Sequence, residues 1–310
     1  PFRVRYGKGG CACRYYYHYH LNSDAAYPRE GGLKMRSRKT GIIVAGIIMG
    51  VIAVMWFVPI YFTVINTLKP LKGVIFTTAA FPKSLYLENI VKVWEGADYF
   101  RLFVNSLIIT GLSLGGIILL SSMAGYKLAR SRGFIPSALL GYFILTLIIP
   151  FQAIMIPLVK TMRELSMINA RWGLILVYIA IGSPMAIFLY FGHVKTIPHS
   201  LEESAYIDGA GQLQTYFRVI YPLLRPITST VIILQSLFIW NDFLLPLITL
   251  QSEELKTIPL GIAGKFFGQY AFKWNLGITA MLLASLPMLI LYLVMQRYII
   301  SGVMKGAVKG

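Results

Sequence analysis

IPHSLEESAYIDGAGQLQTYFRVIYPLLRP, Ile197 to Pro226, is the longest run in the second half of this chain that holds no apolar segment of membrane length. Read at 3.6 residues per turn, Ile197, Leu201 and Ala205 share one helical face, and Glu202, Glu203 and Asp208 place three carboxylates within two turns of it. Gly209 and Gly211 break that pattern. Leu213, Phe217, Ile220 and Leu224 then resume it as a second apolar stripe, and Pro222 and Pro226 mark where the second helix ends or kinks. Two bland readings sit beside this one. Ser200 and Glu203 form the S-x-x-E pattern of a capping box, and Asp208-Gly209 is an ordinary helix C-terminus, since glycine adopts the left-handed conformation at little cost. The stretch is thus a polar helix, a glycine turn and a second helix, an acidic element held out of the membrane.

The rest of the chain is membrane. Apolar residues make up 56% of the 310 and charged ones only 13%, with a mean hydropathy of +0.66; soluble domains carry roughly 25% charged residues. The net charge of +17 comes from Lys and Arg scattered between apolar spans, so it reads as membrane-flanking charge and not as a nucleic-acid surface. Residues 1–34 differ from everything after them. Cys11 and Cys13 make neither a disulfide framework nor a zinc site, and CRYYYHYH, with His18 and His20, fits no packing pattern. That leader is expected to be disordered or non-native, with Met35 the expected start.

Six spans follow, at about residues 41–65, 102–126, 137–158, 172–191, 227–250 and 276–296. The first would run roughly 37 Å as a helix, against a hydrocarbon core of about 30 Å, too long for a secretory signal. Lys34, Arg36, Arg38 and Lys39 hold its N-terminus in the cytoplasm, and KLARSRG after the second span is again basic. Pro150, Pro157 and Pro184 predict kinks in spans three and four. Between spans one and two lies a mixed-charge loop, residues 66–101, with a short surface helix expected in LENIVKVWEGA. By parity residues 193–226 face the cytoplasm, as do both termini. The expected fold class is an all-α membrane protein of about six transmembrane helices.

The chain contains no G-x-x-x-x-G-K-[ST] and no H-E-x-x-H. It therefore carries no means of hydrolysing ATP, and no enzyme activity or bound cofactor is expected of it. Asp242, in WNDFLLP, is the one carboxylate near membrane depth, which disfavours a proton relay. Trp240 and Asn241 read best as an interfacial aromatic and a helix-to-helix hydrogen bond, while Asn105, Gln152, Gln235 and Asn241 are candidates to line a substrate path.

Glu203, Ser204, Ala205, then Gly209, Val219 and Pro222 resemble the EAA loop of ABC importer permeases, and LEESAYIDGAG resembles its form in carbohydrate importers of the maltose-transporter permease family. WNDFLLPL and the ending QRYIISGVMKGAVKG agree with that family, so the likeness spans about Gly41 to Gly310. Ser204 and Tyr221 stand where the family has alanine and leucine, and the leader has no counterpart. The resemblance implies the type I importer permease fold in a bacterial or archaeal plasma membrane. It implies a second permease subunit, two ATP-binding subunits that use ATP and Mg, an external solute-binding protein, membrane lipid and a carbohydrate substrate. It also implies that Glu202 or Glu203 meets a basic residue of the ATPase, with Ser204, Ala205, Asp208, Gly209 and Pro222 completing the coupling element. The tail with Gly306, Lys309 and Gly310 would reach between the ATPases. A secondary carrier or channel working without ATP, or a scaffold that recruits an ATPase, are the competing readings.

Overall fold

The computed structural model describes the backbone of residues 30–267 and 273–307 and the side chains of residues 42–267 and 273–296. Cys11, Cys13, His18, His20, Lys309 and Gly310 lie outside the described residues, whereas residues 30–34 already belong to the first helix. Two units divide the chain at Pro59. The first, Pro1–Val58, contributes most of α1 (Glu30–Thr67), whose side chains from Ile42 to Val58 are exposed throughout, as suits a sequence that is apolar all round and faces lipid. The second unit, Pro59–Gly310, holds the remaining helices.

After α1 come α2 (Leu71–Phe76) and α3 (Glu88–Gly96), the latter filling the segment predicted as a short surface helix. Next are α4 (Tyr99–Arg130), α5 (Phe134–Thr146), α6 (Phe151–Glu164) and α7 (Arg171–Val194). The connecting element follows as α8 (Ser200–Ile207), α9 (Gln212–Thr215), a π-helical turn Tyr216–Ile220 and α10 (Tyr221–Leu223). The chain closes with α11 (Arg225–Asn241), α12 (Leu244–Thr249), a 3₁₀ turn Glu253–Leu255, α13 (Ile258–Phe266) and α14 (Trp274–Ala307). No β-strand occurs among the described residues.

Four helices are long and apolar enough to cross a membrane, Ile42–Thr67, Tyr99–Arg130, Arg171–Val194 and Trp274–Gln296. The expected third span is not one helix: α5 and α6 meet at 102°. Pro150 supplies the break, because the residue before a proline is driven out of the helical region and Pro150 itself is extended (ψ 138°). The expected fifth span is also shorter than 227–250. It ends at Asn241, where Asp242 turns extended (ψ 129°) and its carboxylate accepts the Leu244 N–H (3.0 Å) to start α12. Before it, the chain turns by 73° between Gln212–Leu223 and α11. Counting each bent pair as one span gives six.

The core is the crossing of α4 on α7, joined by α11, with Ile117, Leu174, Tyr178, Tyr190, Leu224 and Val231 buried together. Small residues let the two backbones approach: a Cβ on Gly125 would lie 2.7 Å from Tyr190 Cβ and 3.0 Å from the Ile187 carbonyl oxygen. A second cluster, including Val93, Leu102, Trp240, Ile258 and Phe266, ties α3, α4, α11 and α13 to α14. Trp240 is part of it, its Nε1 donating to the Ala284 carbonyl of α14 at 3.0 Å. It is a buried helix-to-helix link and not an interfacial aromatic.

Candidate functional site

Helix α8 begins without the predicted capping box. Its N-cap is His199, Ser200 is already the first helical residue, and no side chain caps the start; the Ser204 hydroxyl donates to the Ser200 carbonyl instead (2.8 Å). Glu202 and Glu203 occupy the first turn, where the positive end of the helix dipole favours carboxylates. The end of α8 agrees with the sequence reading. Asp208 is the C-cap, Gly209 takes φ +83°, the Gly209 N–H donates to the Tyr206 carbonyl (3.0 Å) and the Ala210 N–H to the Ala205 carbonyl (2.9 Å). Those two bonds are the pair of a Schellman motif. A Cβ on Gly209 would meet nothing within 4 Å, so glycine is required there by backbone conformation alone; Gly211 (φ −71°) carries no such requirement.

The two adjacent carboxylates face opposite ways. Glu202 is 5% exposed and turned inward, its Oε1 2.6 Å from Arg130 Nε and its Oε2 accepting the Tyr126 hydroxyl at 2.9 Å. Arg130 Nη2 also donates to the Ile197 carbonyl (2.9 Å). Both charges of the pair are buried, and such a pair holds only when its remaining hydrogen-bonding capacity is met. Ala205 is buried beside Glu202, and Ile197 is buried at the start of the loop. Leu201, assigned by spacing to the apolar face, is 41% exposed, because the buried face runs through Glu202 and Ala205. Outward stand Glu203, Ser204, Tyr206 and Asp208, with Ile207 85% exposed.

The second helix shows the same shift of face. Leu213 (66% exposed) and Phe217 point outward, while Thr215, Tyr216, Ile220 and Leu224 are buried. The π turn at Tyr216–Ile220 causes it: an extra residue in one turn rotates the side chains before the turn relative to those after it. Pro222, half-buried, has no N–H to close a helical bond, which helps the turn relax to the wider repeat. The Tyr216 hydroxyl donates to Ser122 Oγ at 2.6 Å, and its ring lies 5.4 Å from that of Tyr126.

Ser122, Tyr126 and Arg130 therefore form a ladder at i, i+4 and i+8 on the last two turns of α4, and this ladder grips both halves of the loop. By sequence Arg130 reads only as membrane-flanking charge. The available signal is the four-residue spacing of three hydrogen-bonding side chains at the basic end of a span.

The four candidate path residues have different surroundings. Asn105 is buried and both of its donor bonds go to carbonyls, of Glu254 (2.7 Å) and Lys256 (2.9 Å). Gln235 is buried with its Nε2 on the Gly182 carbonyl (3.3 Å), a link between α11 and α7. Asn241 is exposed and donates to Leu237 of its own helix (2.9 Å). Gln152 lines a cavity of about 210 Å³ together with Asp242, Phe151 and Phe238. The Tyr178 hydroxyl donates to Asp242 Oδ2 there (2.9 Å). Gly306 lies in the backbone of α14.

A family model described as binding-protein-dependent transport system inner membrane component matches residues 117–305, from the middle of α4 through α14. The "Probable starch degradation products transport system permease protein" of Thermoanaerobacterium thermosulfurigenes is 38% identical over 84% of this chain and 94% of its own length. The melibiose/raffinose/stachyose import permease protein of Bacillus subtilis (strain 168) is 36% identical over 89% of this chain and 100% of its own. Among solved structures, a chain of a bacterial ABC transporter involved in the import of the acidic polysaccharide alginate superposes with a TM-score of 0.74 at 20% identity, covering 85% of this chain and 98% of that one, a likeness of fold. With four apolar helices of membrane length and two bent pairs, a glycine-turned acidic loop anchored to α4, and a family match over more than half its length, the chain belongs to the family of binding-protein-dependent transport system inner membrane components.

Proposed function

We propose that the chain is one transmembrane half of an ATP-driven carbohydrate importer, and that α8 with its glycine turn is the lever on which an ATPase subunit acts. It pairs with a second permease subunit, two ATP-binding subunits supply the ATP and Mg chemistry, and a solute-binding protein delivers the sugar from outside. The α8 loop and both termini lie in the cytoplasm. The relatives described as sugar permeases support the substrate class. So does the cavity beside Gln152, where an amide, a carboxylate and two phenyl rings make a donor, acceptor and stacking set suited to hydroxyls and ring faces.

The single observation that carries the lever is the two-sidedness of α8. Glu202 fastens its inner face to α4 with Ala205 buried beside it, and Glu203, Tyr206 and Ile207 present an outer face of one carboxylate and apolar surface. In the coupling set Glu203 meets the basic residue of the ATPase and Ser204 and Asp208 flank it. Glu202 and Ala205 transmit the motion inward, Gly209 sets the turn and Pro222 the exit. The C-terminal tail through Gly306, Lys309 and Gly310 runs between the ATPases.

The test is uptake of a labelled sugar by the assembled transporter in liposomes, with Gly209→Val as the variant and Gly211→Ala as its control. Strain at a left-handed non-glycine residue is roughly 1–3 kcal/mol, or about 5- to 150-fold in an equilibrium. Gly209→Val is expected to assemble, to keep hydrolysing ATP and to lose uptake in that range, with Gly211→Ala normal. Normal uptake by Gly209→Val would remove the lever. Uptake by the chain alone, without ATP, would overturn the importer reading.

A further inference from the structure

A cavity of about 460 Å³ opens where the C-terminal ends of α4 and α7 meet, and its charged lining is basic throughout, Arg130, Arg132 and Lys195, with His199 beside them. Glu202 does not line the cavity and is spent on Arg130 and Tyr126 from the inner side. Arg130 uses its Nε on Glu202 and one Nη2 hydrogen on Ile197, which leaves donors of its guanidinium for another acceptor. Arg132 and Lys195 enter no ion pair among the described residues, and the Lys195 ammonium lies 4.4 Å from the centroid of the Phe191 ring, held beside the last turn of α7. Against about 30 Å³ for a water in the liquid, the volume suits a phosphodiester with its first waters. Both α4 and α7 are helices long and apolar enough to cross a membrane, and a basic cavity at their ends would face the headgroup region.

We infer that this cavity is a binding site for the phosphate of an anionic phospholipid. The phosphate takes the free donors of Arg130 from the cavity side while Glu202 holds it from the other, with Arg132 and Lys195 closing the rim. Because the same guanidinium fastens α8, the bound lipid stiffens the anchor of that helix. Neither the identity of the transported sugar nor the presence of an ATPase enters this inference.

The full chain reconstituted in nanodiscs of phosphatidylcholine with phosphatidylglycerol provides the test, read as phosphatidylglycerol retained through detergent extraction and measured by native mass spectrometry. The variant is Arg132→Gln with Lys195→Gln, which leaves the Arg130–Glu202 pair in place; helicity and elution volume check its fold. Each basic residue beside an anionic surface is worth about fivefold, so wild type is expected to enrich phosphatidylglycerol over phosphatidylcholine and the double variant to retain it roughly 25-fold less. Equal retention of the two lipids by wild type, or equal retention by wild type and a folded variant, overturns the site. Loss of the lipid on adding millimolar inorganic phosphate, with phosphate bound in its place, overturns the lipid as occupant in favour of a soluble anion.

Discussion

Helix α4 carries a loop at each end, and the two are held by opposite means. Near its N-terminus, Asn105 donates to the carbonyls of Glu254 and Lys256, and Ser106 Oγ accepts the Ile258 N–H (2.9 Å). From the other flank Asn169 accepts the N–H groups of Gln251 (3.0 Å) and Ser252 (2.9 Å). Twenty-five residues on, roughly 37 Å along the helix, Arg130 and Tyr126 grip α8 by a side chain, Glu202. A neutral clamp on main-chain groups fixes the path of the 250–258 loop whatever its side chains are. An ionic anchor on one face of α8 fixes only that face, leaves the outer one open, and is followed at once by a left-handed glycine. The first end is held through its main chain, the second through one side chain.

The largest effect should come from splitting the anchor. Glu202→Ala strands the Arg130 charge at a site where both side chains are about one-tenth exposed or less, and breaking a buried pair costs about 3–5 kcal/mol. Glu203→Ala, one residue on and exposed, should stay within about 0.5 kcal/mol. Thermal unfolding of the two variants in the same lipid measures the contrast, and equal losses would abolish the two-sidedness assigned to α8. A smaller effect belongs to the other end. Asn105→Ala leaves two carbonyls without their donor at a cost of roughly 1–3 kcal/mol, and amide exchange should quicken across residues 250–258 with α8 unchanged. If α8 loosened as well, the two ends would not be independent.

The smallest concerns the 3₁₀ turn in the clamped loop. The hydrogen bond from Lys256 holds the Glu253 carboxyl below its ordinary value of 4.5. Its contribution is then complete above about that pH and is lost as pH falls through the lowered value. The pair is mostly exposed on the Glu253 side, so the loss should stay within about 1 kcal/mol. Acid titration of stability isolates it: wild type and Glu253→Gln should differ at neutral pH and converge as pH falls through the lowered value, and equal stability at neutral pH would contradict the assignment.

Much of this was readable in the chain. Apolar length alone marks the crossings, since nothing but helix satisfies a backbone in hydrocarbon, and Gly209 had to be glycine because its neighbours end one helix and begin another. Less readable was the third span. Its prolines signalled kinks, yet a 102° break at Pro150, against Pro157 carried inside α6, depends on what packs around each. The candidate path fared similarly: Asn105 and Gln235 are the same residue types whether they line a passage or clamp a carbonyl.

The sequence by itself determined the all-helical membrane class, the acidic loop with its glycine turn, and the family, because hydropathy, spacing and motif are local properties of the chain. The direction each carboxylate faces was decided only by tertiary structure. Glu202 and Glu203 are chemically identical neighbours about 100° apart on one helix, and the apolar stripe through Leu201 favoured neither. What selects Glu202 is Arg130, seventy-two residues earlier, brought beside it by the packing of α4 on α7. A buried carboxylate needs a buried cation, and no local pattern reports where that cation will be.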